Sequence, residues 1–241
     1  MNATFLIARR ELGSYFRTLT GYIIAAILLL VDGLLFNIFA LGGGEKLSAE
    51  VIGQFFFYTS GLTVIASIFL SMRLLAEERQ TGTLVLLTSS PVHDAEIVLG
   101  KFLSALVFLA LVLAASVYMP LLVLVNGKVS GGHLLAGYLG LLLIGGASLA
   151  IGTFGSAIAR TQVLAVIFSA SITLAMVVCW MLSKVTERPL SDVFVALAFH
   201  GKHFPPFQAG TVHLRDVVYY LMVTYVALFS ATRVLESRRW K

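Results

Sequence analysis

Few side chains in this sequence are equipped for chemistry, and they stand apart from one another. The densest group is Glu77-Glu78-Arg79, followed by Gly82-Thr83, a leucine cluster (Leu84, Leu86, Leu87) and Ser90-Pro91. Charges beside a compact leucine knob suit docking into a partner's groove rather than catalysis. His200 and His203 flank Gly201-Lys202, but no cysteine or acid stands at ligand spacing beside them. They read as surface histidines of a loop, and no metal site is expected. Gly100-Lys101 and Gly127-Lys128 lack the preceding glycine and the following Ser/Thr of a phosphate-binding P-loop. No residue is assigned a catalytic role, so any ATP hydrolysis must come from another chain.

Asp32 and Asn37 are polar residues within an apolar run. An acid at membrane depth is costly and by default faces a cavity or a partner. Two readings stay open for Asp32: it lines a translocation path with Asn37, or it makes a hydrogen bond between helices.

Composition fixes what must position these residues. Of 241 residues, 59% are hydrophobic and 12% charged, against roughly 25% charged in a soluble domain. The apolar residues come in runs of about twenty, the length that crosses a bilayer as a helix. The short alternating segments of a membrane barrel are absent. The expected fold is all-α and integral to a membrane, one transmembrane domain over residues 1–241. Six spans are expected at Gly21–Leu41, Ile52–Met72, Phe102–Val125, Leu134–Ala159, Val163–Ser183 and Val217–Thr232, the last beginning near Leu214. Tyr118-Met119-Pro120 predicts a proline kink in the third.

The net charge of +5 follows from cations at helix ends and gives no reason to invoke nucleic acid. With the N-terminus inside, that side receives Arg9, Arg10, Arg17, Arg73, Arg79, Lys101, Arg160 and the C-terminal cluster with Arg233. Lys46, Lys128, Lys184, Arg188, Lys202 and Arg215 fall opposite. Eleven Lys/Arg against six predict both termini in the cytoplasm. The first twenty residues are too charged for a signal peptide, and no small-residue cleavage site follows. Cys179, the single cysteine, excludes an intrachain disulfide.

Three further elements are expected. Over residues 2–19, Phe5, Ala8, Leu12, Phe16 and Leu19 recur at helical spacing opposite Arg10, Ser14 and Arg17, with Leu6 and Ile7 off the stripe. That pattern suits an amphipathic helix lying in the membrane interface among lipids. Ser148, Gly152 and Ser156 make a small-residue ladder in the fourth span, suited to close packing within the chain or at a dimer seam. Residues 184–213 combine an apolar stretch, Val193–Phe199, with a stiff Phe204-Pro205-Pro206-Phe207 turn. They suit a re-entrant helix pair before the sixth span. Between spans two and three, Ser90-Pro91 reads as the N-cap and first position of the next helix, with Asp94 and Glu96 near its positive end.

Three stretches carry a family resemblance: EERQTGTLVLLTSSPV with the following EIVLGKF, IGTFGSAIARTQVLAVIF over residues 151–168, and the N-terminal ARRELGSYFRTLTGYI. The sequence resembles the membrane-spanning permeases of ABC-2 type transporters, closest to the gliding-motility and nitrous-oxide-reductase-maturation group. Val85 stands where that family commonly has glutamate.

The resemblance implies a type V exporter-like half with a cytosolic coupling helix at residues 77–92 and extracellular re-entrant helices. It implies a cytosolic ATPase dimer that binds ATP and Mg, and a second permease subunit, identical or related. It leaves room for an accessory extracytoplasmic protein, and it places the chain in a bacterial inner membrane. Two other classes remain. An ion-coupled secondary transporter would favour several intramembrane acids, and Asp32 alone qualifies. A non-transporting membrane scaffold would keep the same coupling surface.

Overall fold

A computed structural model describes residues 3–42, 47–83, 92–127 and 129–239. Among these there is no strand. The chain begins with α1 (Ala3–Arg17). Thr18 turns extended, with φ −106° and ψ 145°, and α2 (Leu19–Leu35) follows, running into a π-helical turn at Phe36–Leu41. Next come α3 (Ser48–Ser71), the short α4 (Ala76–Gln80), and α5 (Asp94–Ser116) with its continuation α6 (Tyr118–Asn126). Then follow α7 (Gly131–Ile158), α8 (Gln162–Ser183), the short α9 (Leu190–Leu197) and α10 (Pro205–Gln208), and α11 (Leu214–Arg239). Among the described residues, six helices are long and apolar enough to cross a membrane, at Gly21–Leu41, Ser48–Gln80, Asp94–Val125, Gly131–Ile158, Gln162–Ser183 and Leu214–Ser237.

α7 is the central post. It packs against α3, α5, α8 and α11, because in lipid helices associate through close packing rather than through escape from water. Two glycines set that closeness. A Cβ at Gly152 would overlap the Ser71 hydroxyl on α3, and one at Gly155 would overlap the Ser169 hydroxyl on α8. The Ser148-Gly152-Ser156 ladder is therefore spent on packing inside the chain; Ser148 and Ser156 are buried.

The third span breaks between α5 and α6 at Val117. The interruption lies just before Pro120, which has no N–H to offer the carbonyl one turn back.

α1 explains the two apolar residues off its stripe. Ile7, Leu12 and Tyr15 pack against the core, and Tyr15 stacks on Phe108 of α5 with ring centroids 4.6 Å apart. Phe5, Leu6 and Phe16 point outward. The helix thus has one apolar side for protein and one left exposed.

At the opposite end of the bundle, α9 and α10 fill the segment before α11. Phe199, Phe204 and Phe207 are fully buried in the core. The Phe199 N–H donates to the Met176 carbonyl at 3.2 Å, and the Tyr220 hydroxyl donates to the Phe199 carbonyl at 2.9 Å. The expected proline turn is instead a helix start. Pro205 and Pro206 occupy its first positions, where a missing N–H costs nothing.

Candidate coupling site

At the α1 end, α3 stops at Ser71 and the chain turns before α4 begins at Ala76. A break in a span exposes backbone groups that must find partners away from water. Ser156 of α7 supplies them. Its hydroxyl accepts from the amides of Leu75 (3.1 Å) and Ala76 (2.9 Å) and donates to the Met72 carbonyl (3.2 Å). Ala76 then packs on Ala159 and Ala165, three small side chains that let α4 approach the junction of α7 and α8.

Arg79 fastens the stem from the other side. Its Nη1 donates to the carbonyls of Ile158 (3.1 Å) and Ala159 (2.6 Å). Those are among the orphan carbonyls at the negative end of α7, where a cation is favoured. Thr161 caps α8, its hydroxyl accepting from the Leu164 amide. The two motifs read from sequence, around Glu77 and around Ile151–Phe168, therefore meet in space.

The carboxylates are occupied by cations. Arg73 donates to both oxygens of Glu77, at 2.8 and 3.1 Å. Glu78 pairs with Lys101 of α5 at 2.7 Å, and Lys101 also reaches Glu11 of α1 at 3.3 Å. Glu11 takes a further bond from Arg10 at 2.9 Å. Burial by itself would raise the Glu11 carboxyl, but Lys101 and Arg10 outweigh it and hold it below the usual range. Burial, with the Glu11 charge adding to it, pushes the Tyr15 phenol up to about 12. A cavity of about 310 Å³ opens among Glu11, Tyr15, Arg73, Glu77 and Lys101.

The stem ends at Gly82, whose φ of +76° is the left-handed conformation that closes helices most cheaply in glycine. Thr81 and Thr83 join hydroxyls at 2.9 Å across that turn and lie exposed. Leu84, Leu86, Leu87, Ser90 and Pro91 lie outside the described residues. The helix that carries Asp94 and Glu96 starts at Asp94, later than the expected start. Its N-cap is His93, whose amide donates to the Glu96 carboxylate at 3.1 Å in the manner of a capping box.

Asp32 and Asn37 do not share a site. Asp32 is buried and accepts from the Thr59 hydroxyl on α3 at 2.6 Å, beside a cavity of about 20 Å³. Asn37 is exposed. The histidines also differ from expectation. His203 is buried, with Nδ1 2.7 Å from Asp216, and the half-buried His200 has Nε2 2.7 Å from the Ser60 hydroxyl. They are packed inward because the three phenylalanines around them pull the segment into the core.

Sequence reasoning placed Arg79 in the docking segment but gave Lys101 and Ser156 no part in this site. Lys101 was read as a cation at the cytoplasmic end of the third span, because the apolar run begins at Phe102. The helix starts at Asp94 and buries it, and a buried lysine demands a carboxylate. A serine inside an apolar helix carries no signal of this kind.

A bundle with six membrane-crossing lengths and a buttressed stem at one end defines a multi-pass membrane protein. The family profile described as ABC-2 family transporter protein matches residues 7–224. The chain belongs to that family, whose members are membrane transport components and normally work with an ABC ATPase. A comparison with curated proteins gives no match.

Proposed function

We propose that this chain is the permease subunit of an ATP-driven exporter, and that residues 77–92 receive the stroke of a separate cytosolic ATPase dimer. The observation that carries the reading is the stem α4. It is bonded to α7 through Ser156 and Arg79 and to α5 through Lys101, while its tip at Thr81–Thr83 stays exposed. A push on the tip would reach two spans without passing through a flexible joint. The Lys/Arg distribution supports placing this end, with both termini, in the cytoplasm, and the family resemblance supports a bacterial inner membrane. With no P-loop in the chain, ATP and Mg would bind the partner ATPase. The family resemblance supports a second permease subunit and outward transport.

For Asp32 the geometry supports a hydrogen bond that ties the first span to the second. The cavity beside it, about 20 Å³, has room for about one water.

Copurification tests the coupling reading. Wild-type chain should retain its ATPase, and Leu86→Glu/Leu87→Glu should release it, because charge in the knob opposes burial in a groove. Undiminished retention by the double variant overturns the assignment.

A further inference from the structure

A lysine within a span-length helix is tolerated when its charge is matched, and removing either half of a buried pair strands the other. Lys101 is 2% exposed and is matched twice, from two directions. Glu78 reaches it from α4 and Glu11 from α1, so neither carboxylate belongs to the helix that carries the lysine. The second oxygen of Glu78 is buried with no hydrogen-bond partner among the described residues, and among them the bond to Lys101 is what holds this carboxylate. Arg73 is engaged by Glu77 and Arg10 by Glu11.

The surroundings sharpen the point. α1 is laid along α5, with Tyr15 on Phe108 and Ile7 against Gly100, where a Cβ would stand 2.9 Å from Ile7. Toward α4, in contrast, α1 faces the cavity of about 310 Å³. Glu11, Ser14 and Tyr15 line one side, Glu77 and Thr81 the other, and Lys101 lies between them. An ionic bridge spans what packing leaves open.

We propose that Lys101 is a positioning residue that makes α1 and the stem α4 move as one body with the third span. The functional consequence rests on the reading of residues 77–92 as the coupling segment. A stroke received there would be delivered to the N-terminal helix as well as to the spans.

The test measures the full-length chain in lipid nanodiscs by pulsed electron paramagnetic resonance, in a Cys179→Ser background. Spin labels go on the exposed positions Arg9→Cys on α1 and Gln80→Cys on α4. Wild type should give one narrow distance. Lys101→Met should broaden it and add a longer population, and Lys101→Arg should restore the narrow one. A control pair at Val163→Cys and Val226→Cys, exposed on α8 and α11, should not change, which separates a local joint from general unfolding. Glu11→Gln leaves the bond to Glu78 in place and should free α1 alone, giving the broad distance with α4 still docked. A narrow Arg9–Gln80 distance in both Lys101→Met and Glu11→Gln overturns the proposal. The measurement uses the permease without its ATPase, so its outcome stands apart from the copurification that tests the coupling reading.

Discussion

Changing Ser156 to alanine removes one oxygen and strips partners from three backbone groups. The serine hydroxyl has one donor and two acceptor sites, and all three are in use, on Met72, Leu75 and Ala76. Leu75 and Ala76 are 3% and 0% exposed, so water cannot readily replace the lost acceptor. A buried donor left without a partner costs about 1–3 kcal/mol. Two of them give about 2–6 kcal/mol, and because the turn can relax the lower half of that range applies, about 3 kcal/mol. At about 1.4 kcal/mol per tenfold, the opening equilibrium of the break between α3 and α4 should shift roughly 100-fold. Hydrogen exchange read by mass spectrometry on peptides spanning residues 72–77 should show that acceleration. Peptides from the middle of α5 should stay protected as in wild type. Unchanged exchange at residues 72–77 would refute the reasoning: the stem would then be held by Arg79 and apolar contact without the serine.

The close approach of α3 and α7 predicts that Gly152→Val lowers the melting temperature in detergent. Overpacking typically costs about 1–3 kcal/mol, and an equal melting temperature would mean that the helices part without strain. Burial beside Ser60 lowers the His200 pKa, and His203 is lowered by burial against the opposing pull of Asp216. The folded chain therefore binds these protons more weakly than the unfolded chain does. Their contribution is full above about pH 6.5, the unfolded value, and is lost as pH falls below it toward the folded values. Melting temperature should drop with acidification across that window, and His200→Gln should flatten part of the slope; an identical slope in the variant counts against it. Asp32→Asn keeps a carbonyl oxygen for Thr59 and should preserve both melting and transport, whereas Asp32→Leu should lose about 1–3 kcal/mol of stability. Collapse of transport in Asp32→Asn with unchanged melting would instead put the charge in the path.

The spans were legible because each needs about twenty apolar residues, and that requirement is written locally. Their ends were less so. The second candidate span continues through the break at Ser71 to Gln80, and the partner that sustains the break, Ser156, is 80 residues from Ala76 in sequence. No local pattern announces a bond of that range. The pairing of Glu77 with Arg73 is local, four residues apart across the turn between α3 and α4, while that of Glu78 with Lys101 depends on how α4 and α5 are laid side by side. His203 was misread because connections between spans are ordinarily solvated. This one carries Phe199, Phe204 and Phe207, which bury themselves and take the histidine along. The start of α5 moved from Ser90 to His93 because Glu96 sits at the right spacing to cap it.

The central claim is that a motorless membrane chain takes its power through residues 77–92. ATP hydrolysis measured after reconstitution in lipid vesicles tests it most directly. The permease alone should hydrolyse no ATP, its ATPase should turn over faster in its presence, and Leu86→Glu/Leu87→Glu should abolish that acceleration. Hydrolysis by the permease alone, or full stimulation by the double variant, would contradict the account.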